Sequence, residues 1–517
     1  MSDSKFSLAQ PAAHASSSNR DVLTAAKGGG IIFFGSLFSY ASRFVFGIIV
    51  ARSIGADGYG LYDLGVTVAL ILTGLSLLGL PGGIVRFLPA AIRKRDETRV
   101  WGILQVSVAL AGSVSLVLAL AIFGLADLLA ENLFHKPALA PILRIASICI
   151  PLTAVGSIIM AALQSFKEMQ YQVYADSILF NVAKIGLTVL ALSAGLGAAG
   201  VLVAFTVALV VEDILLLYYL NHLFPLRRPL RAARRNVREL LVFSLPLWLT
   251  RFVATFGRQA ELVLLGMLGT IVSVGVYSAS LRIQAIGNLL LGAVQTAAQP
   301  IISDLHHRGE HAQLNRLYRT LTKWSLLFNL PFFLTMILFA RPVLAIFGQD
   351  FTAGVLVMII VAVGTLVDAG TGICGSMISM TGYSKLKFCN SVASLILRMI
   401  LDLLLIPVWG MVGAAVATGL AIAILNVVCL LEVYWLLRYW PYDFTFVKPV
   451  VSALVALIVG FVTNRLAPAD LNLFYLMLNV ALLWSSYAAT TILLGLSEED
   501  QMVLNRIKRR FGAKFPS

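Results

Sequence analysis

The chain has 517 residues, of which 59% are hydrophobic and only 12% are charged, and its mean hydropathy is +0.90. Soluble domains contain about 45–50% apolar and about 25% charged residues. The composition therefore excludes a soluble globular protein and predicts an all-α polytopic membrane protein.

The predicted elements begin after a polar tail. Residues 1–27 are rich in Ser and Ala and lack the short apolar core of a signal peptide, so they are predicted to be a disordered tail. A membrane-spanning helix needs about 20 mostly apolar residues. Fourteen segments meet this requirement: Gly28–Val50, Tyr59–Leu80, Val100–Gly124, Leu139–Leu163, Val173–Ala194, Ala198–Leu220, Leu240–Leu268, Val274–Ile302, Trp324–Phe347, Thr352–Met380, Phe388–Val408, Met411–Leu437, Val447–Leu466 and Leu471–Leu496.

Basic residues are concentrated in alternate connections, above all in the linker 222–238, and the terminal segment 497–517 is predicted to be a basic amphipathic tail on the membrane surface. The positive-inside rule then predicts that both termini are cytoplasmic. This topogenic role accounts for the net charge of +14 without a nucleic-acid partner.

The spans form an internal repeat with a period of about 215 residues. The equivalent positions are Arg43 and Arg258, Gly60 and Gly275, Tyr62 and Tyr277, and Lys184 and Arg398. Each copy holds six spans, so the copies share one orientation. The sequence predicts an N-lobe at 28–221, a C-lobe at 239–437 and two additional spans within 438–496.

Ionisable and strongly polar residues inside spans are costly and therefore indicate function. Basic side chains in both copies, some on one helical stripe with amides, predict a shared hydrated cavity for an anion, and arginine is well suited to phosphate oxygens. The predicted substrate-binding residues are Arg43, Asn181, Lys184, Arg251, Arg258, Asn288 and Arg398. Glu261 and Asp368 are candidates for ion coupling.

A structural interpretation stays open for some of these charges. Arg398 and Asp402 have ion-pair spacing on a helix, as do Arg258 and Glu261. Arg43 and Lys184 have no acidic residue within four positions. There is no Walker A motif, no CxxC motif and no evident nucleophile–base arrangement, so neither an enzyme, a cofactor nor a metal is predicted.

Several segments carry a family resemblance: Ala51–Tyr62, Gly79-Leu80-Pro81, Arg86-Phe87-Leu88, Gly275–Ala279 and Leu496–Asp500. With these segments the chain resembles the Wzx-type flippases of polysaccharide biosynthesis, in the MOP superfamily that also holds the MATE exporters and the MurJ-type lipid II flippases. The resemblance covers nearly the whole chain.

The resemblance implies alternating-access transport of an undecaprenyl-pyrophosphate-linked oligosaccharide from the inner to the outer leaflet of the cytoplasmic membrane. Its implied partners are this lipid-linked oligosaccharide, membrane lipids and the polysaccharide polymerase machinery. A lipid II flippase, a MATE-like cation exporter and a non-transporting membrane scaffold are the alternatives.

Overall fold

The computed structural model describes residues 11–226, 229, 237–466, 473–495 and 500–501, with side chains from Phe34 onward except at 250, 251, 254, 258, 288–291, 293 and 473. Across these residues the regular structure is entirely helical. Residues 1–10 of the predicted tail 1–27, the middle of the linker 222–238 and nearly all of the C-terminal tail 497–517 lie outside the described residues.

Seventeen α-helices follow one another in these ranges. They are α1 (Pro11–Ser76), α2 (Leu80–Arg93), α3 (Glu97–Leu128), α4 (Leu139–Ser165), α5 (Met169–Gln172), α6 (Asn181–Ser193), α7 (Gly197–Leu223), α8 (Val237–Leu268), α9 (Ile271–His307), α10 (His311–Leu338), α11 (Ala340–Ala345), α12 (Val355–Thr371), α13 (Cys374–Met380), α14 (Ser384–Trp409), α15 (Met411–Leu437), α16 (Val447–Leu466) and α17 (Leu473–Leu493). Wider π-helical turns occupy Leu129–Leu133 and Val173–Phe180, and 3₁₀ turns occupy Gln349–Gly354 and Phe444–Phe446.

Eleven helices among the described residues are long and apolar enough to cross a membrane. The prediction of an all-α, multi-pass membrane protein is therefore confirmed, while the total of fourteen spans stays a prediction. The helix α1 contains the first predicted span and most of the second, and it begins at Pro11, inside the predicted tail. Its regular geometry is broken at Gly55, where φ is 68° and ψ is −176°. Glycine has no Cβ and adopts this conformation readily.

The first compact unit comprises Met1–Phe46, Val68–Leu129 and Ala138–Phe252. Its core is formed by buried aliphatic side chains from α2, α3, α4 and α7, including Leu80, Leu104 and Leu163. Gly79 precedes α2 with φ 71°, and a Cβ there would lie 2.2 Å from the carbonyl oxygen of Ser244. This position therefore requires glycine both for its backbone conformation and for the close approach of α8.

The second compact unit comprises Gly47–Thr67, Ala130–Pro137 and Val253–Ser517. In this unit the repeat-equivalent glycines Gly60 and Gly275 pack backbone against backbone. A Cβ on Gly60 would lie 2.2 Å from the carbonyl oxygen of Ile271, and one on Gly275 would lie 2.1 Å from that of Ala56. The glycines of the two Gly-x-Tyr motifs therefore lie where α1 and α9 cross, and they allow the two helix backbones to come into direct contact.

Two basic side chains, those of Arg282 and Lys136, connect separate segments of the second unit. Arg282 forms an ion pair with Asp63 at 2.5 Å, and its guanidinium lies 5.2 Å from the centre of the Tyr59 ring. Lys136, in the turn before α4, donates hydrogen bonds to the carbonyl oxygens of Phe134 and Gly266. Burial lowers the pKa of Lys136 because it disfavours the charged ammonium.

The two units do not coincide with the two predicted lobes. Residues 47–67 and 130–137 belong to the first copy of the repeat but pack with the second unit. Sequence periodicity identifies which segments are equivalent, whereas packing depends on which helix surfaces meet. The lobe boundaries 28–221 and 239–437 stay a prediction.

Candidate substrate site

The first charged cluster lies in the first unit and is centred on Lys184. This side chain is only 4% exposed, and its Nζ donates a hydrogen bond to Oδ1 of Asn181 at 3.1 Å. Since residues three apart on a helix are neighbours, α6 positions both groups itself. The amide of Asn181 in turn donates to the carbonyl oxygen of Ser177 at 2.9 Å. The structure thus brings together two predicted substrate-binding residues.

Aromatic rings complete the environment of this lysine. Nζ lies 4.7 Å from the ring centre of Phe46 and 4.9 Å from that of Phe180. A cation held against aromatic faces is stabilised by about 2 kcal/mol when water is excluded. Lys184 is therefore an integral buried cation of the first unit.

Arg43 has the opposite character. Its side chain is exposed within a long apolar segment of α1. Among the described residues, no side chain or backbone group forms a hydrogen bond or an ion pair with its guanidinium. All five N–H donors of this arginine are thus available to a ligand, in a planar arrangement that matches phosphate oxygens.

Three acidic side chains accompany these cations and were not predicted from the sequence. Asp176 and Glu212 both interact electrostatically with Arg43 and Lys184. Asp213 follows Glu212 on α7, and both are buried. The cluster is therefore mixed in charge rather than purely cationic.

Gly156 on α4 makes room for one of these acids. A Cβ at this position would lie 2.5 Å from Oδ1 of Asp213. The carboxylate therefore occupies space that any larger residue on α4 would fill. This close approach ties the acidic pair of α7 to the helix beside it.

A signal for the acids is present in the sequence. Glu212 and Asp213 interrupt the apolar run Ala208–Leu216, and Asp176 directly precedes the polar stripe that contains Asn181. The three acids lie more than four positions from Arg43 and Lys184 along the chain. Ion-pair spacing on a single helix therefore does not identify them as partners of these cations. Acidic residues inside a span are as costly as basic ones and indicate function equally.

The second charged cluster lies in the second unit and is centred on Glu261, which is 1% exposed. Its carboxylate accepts hydrogen bonds from the hydroxyl groups of Tyr277 and Thr418 and forms an ion pair with Arg398. Arg398 also donates to the carbonyl oxygen of Gly257 at 3.3 Å. Helices α8, α9, α14 and α15 thus converge on one buried carboxylate.

The pairing predicted for Arg398 is wrong in its partner. Asp402, one turn away on α14, is 1% exposed and interacts electrostatically with Arg398, but the ion pair of Arg398 is formed with Glu261. Helical spacing alone favoured Asp402 because it considers neighbours on one helix. Tertiary packing supplies a closer carboxylate from α8.

The remaining predicted site residues are placed as follows. Asp368, on α12, borders a cavity of about 410 Å³ inside the second unit. The side chains of Arg251, Arg258 and Asn288 lie outside the described residues. Their assignment to a substrate site stays a prediction, as does the shared cavity.

The described residues contain no group of three or more His, Cys, Asp or Glu side chains that could hold a metal ion. The cysteines are unpaired thiols, with Cys149, Cys374 and Cys429 buried and Cys389 exposed. The two clusters place buried and accessible charges within membrane-spanning helices, where ionisable residues often mark a substrate or ion pathway.

Comparison with known proteins places the chain in a family. Residues 25–306 match the family model of the polysaccharide biosynthesis proteins, and residues 246–404 match the MatE model. The first match covers more than half of the chain, so the chain belongs to the polysaccharide biosynthesis protein family. The resemblance noted in the sequence is confirmed.

Individual relatives agree with this assignment. The chain is 28% identical over 191 residues to the probable low-salt glycan biosynthesis flippase Agl15 of Haloferax volcanii, a match that covers 37% of this chain and 40% of that protein. The structure resembles the lipid II flippase MurJ in an inward closed conformation, with a TM-score of 0.72, 14% identity and coverage of 89% of this chain and 98% of the other. It also resembles an inward-facing MATE transporter of the MOP superfamily, with a TM-score of 0.60, 16% identity and coverage of 77% and 94%. The two structural likenesses concern the fold.

Proposed function

We propose that the protein is a flippase for an anionic lipid-linked oligosaccharide, moving an undecaprenyl-pyrophosphate-linked glycan from the inner to the outer leaflet of the cytoplasmic membrane by alternating access. The observation that carries the proposal is the accessible guanidinium of Arg43 within an apolar helix. This guanidinium donates no hydrogen bond to any of the described residues. The planar guanidinium can form paired hydrogen bonds with phosphate oxygens such as those of a pyrophosphate. The glycan flippase among the relatives supports the same substrate class.

The energetics favour this direction of transport. An interior-negative membrane potential drives an anion outward by about 2.3 kcal/mol per charge per 100 mV. A headgroup crossing a low-dielectric region must exchange water for protein donors, since an unpaired charge is very costly there. Arg43 provides such donors, while Lys184 contributes a fixed positive charge nearby.

The direct test is reconstitution of the full chain in proteoliposomes with the lipid-linked oligosaccharide extracted from its native host. We expect protein-dependent appearance of the glycan on the opposite leaflet, measured by its accessibility to an added glycosidase. The rate should rise when a potential negative on the loading side is imposed. Protein that folds and inserts but leaves the glycan on its original leaflet would contradict the proposal and favour the scaffold alternative.

The acidic residues support a second candidate, a MATE-like exporter of organic cations. Glu212 and Asp213 are buried acids inside a span, and part of the chain matches the MatE model. A carrier for cations requires such groups. The same vesicles loaded with ethidium decide between the two, because an exporter would move the dye and a flippase would not. Purified lipid II in place of the host glycan tests the lipid II alternative.

The membrane orientation gives a separate prediction. We expect a reporter fused after Arg235 to be cytoplasmic and one inserted within Ile271–Ser273 to be periplasmic, because basic connections are retained on the cytoplasmic side. Alkaline phosphatase and green fluorescent protein fusions measure the two locations. Both reporters on the same side would contradict the predicted spans Leu240–Leu268 and Val274–Ile302.

A further inference from the structure

The second unit contains a cavity of about 410 Å³, and none of the residues of the two charged clusters lines it. Four helices and the end of a fifth contribute to it, and its lining is dominated by amides, hydroxyl groups and one charge of each sign. Cavities of about 300–1,000 Å³ are the size that binds small molecules or one part of a larger ligand. The volume therefore suits a sugar residue better than a bare ion.

Several polar groups in this lining have unused hydrogen-bonding capacity. The side chains of Gln299, Ser376 and Lys387 face the cavity and form no hydrogen bond with any residue that the structure describes. Gly375 leaves space for the ammonium group, because a Cβ there would lie 2.7 Å from Nζ of Lys387. Ser376 is buried, and Gln299 and Lys387 are half-buried. Their free hydrogen-bonding groups border the same cavity and can bind a polar ligand.

Other lining groups are already fixed in position. Asn426 donates to the carbonyl oxygen of Ile422 at 3.0 Å and accepts from the hydroxyl of Thr371 at 3.2 Å. Asp368 interacts electrostatically with Lys387. The amide of Asn426 is therefore held in place in the lining, which limits the rearrangement that ligand binding requires.

The charges decide which chemistry fits. The carboxylate of Asp368 and the ammonium of Lys387 cancel formally, so the cavity offers no net attraction to a phosphate. The ammonium group also repels a metal cation at short range. A neutral group with many hydroxyls, which both donate and accept hydrogen bonds, matches the lining.

We propose that this cavity binds a sugar residue of the transported glycan and contributes to recognition of the headgroup. This inference rests on the proposed function but concerns a different part of it: Arg43 recognises the pyrophosphate common to all such lipids, while the cavity recognises the carbohydrate. Gln299 and Ser376 are the groups expected to hydrogen-bond to sugar hydroxyls.

The test compares two probes on the full-length protein in detergent: bare undecaprenyl pyrophosphate, and the lipid-linked oligosaccharide extracted from the native host. Affinity is measured by thermal stabilisation as a function of probe concentration. Wild type should bind the glycosylated probe more tightly. The variant Gln299→Leu with Ser376→Ala should lose about 10-fold in affinity for that probe, as two neutral hydrogen bonds predict, and keep its affinity for the bare lipid within about twofold.

Neither substitution removes a hydrogen bond within the described part of the protein, so the variant is expected to fold. Gln313→Leu, an exposed glutamine on α10, is the matched control and should change neither affinity. A double variant that keeps the full preference for the glycosylated probe would overturn the sugar site while leaving the flippase proposal intact. Stabilisation of wild type by Na⁺ instead of by the glycan would overturn it as well. If wild type binds neither lipid probe, the proposed function itself fails.

Discussion

Replacing Arg43 with glutamine is expected to slow glycan transport about 10- to 150-fold. Loss of a hydrogen bond to a charged group costs about 1.5–3 kcal/mol, which corresponds to that range of rates. Arg43 makes no ion pair or hydrogen bond within the described residues, so its removal should leave the folded protein intact. The measurement is turnover of labelled lipid-linked oligosaccharide in proteoliposomes, normalised to folded protein.

The companion variants separate charge from geometry. Arg43→Lys retains the charge but loses the planar fork, so we expect it to restore only part of the rate. Arg341→Gln is the matched control, because Arg341 is an exposed arginine on the short helix α11 and is not among the predicted substrate-binding residues. It should transport normally. Normal transport by Arg43→Gln would contradict a role of this arginine in substrate binding.

The repeat extends the experiment to the second copy. Arg258 is equivalent to Arg43 in sequence, and Arg258→Gln should reduce transport to a similar degree if the equivalence is functional. A defect in one variant only would show that the two copies have diverged in use. This is expected in doubled transporters whose halves need not bind the same part of a substrate.

The fold class could be predicted from the sequence because each membrane-spanning helix requires a long apolar segment, which hydropathy detects. Apolar residues must face lipid or pack against other helices, and about 20 of them are needed for each crossing. The repeat was visible for a related reason. Gly60 and Gly275 cannot vary without a clash against the facing backbone, so their motif is preserved within the chain.

The partners of the buried charges could not be predicted in the same way. Glu261 on α8 forms an ion pair with Arg398 on α14, and Glu212 on α7 interacts electrostatically with the buried Lys184 on α6. Spacing rules describe neighbours on one helix only. The relevant distances depend on packing, which in membranes is set by small residues such as Gly156 as much as by polar ones.

The positions of the two arginines thus lead to opposite expectations. Arg43 is accessible and unbonded within the described residues, whereas Arg398 is bonded to a carboxylate that is almost completely buried. The sequence assigned both to substrate binding. Substrate binding by Arg43 stays a proposal, whereas Arg398 forms an ion pair with Glu261, so the two substitutions should have different effects.

Replacing Arg398 with glutamine is expected to destabilise the protein by about 3–5 kcal/mol, the usual cost of removing one member of a buried ion pair. Glu261 would then carry an unpaired charge with Asp402 as an acidic neighbour. Since folded proteins are stable by only about 5–15 kcal/mol, accumulation in the membrane should fall sharply. Fluorescence-detected gel filtration and the Tm of the purified protein measure the effect.

The decisive comparison is the double variant Glu261→Gln with Arg398→Gln. It removes both charges while keeping similar volumes, so it should recover most of the lost stability, and the double-mutant cycle measures the coupling of the pair. If Glu261 also couples transport to an ion gradient, this folded variant should lose its response to that gradient. A stable Arg398→Gln protein that has lost transport would instead return Arg398 to the substrate site, because it would show that the pair with Glu261 is broken during the transport cycle.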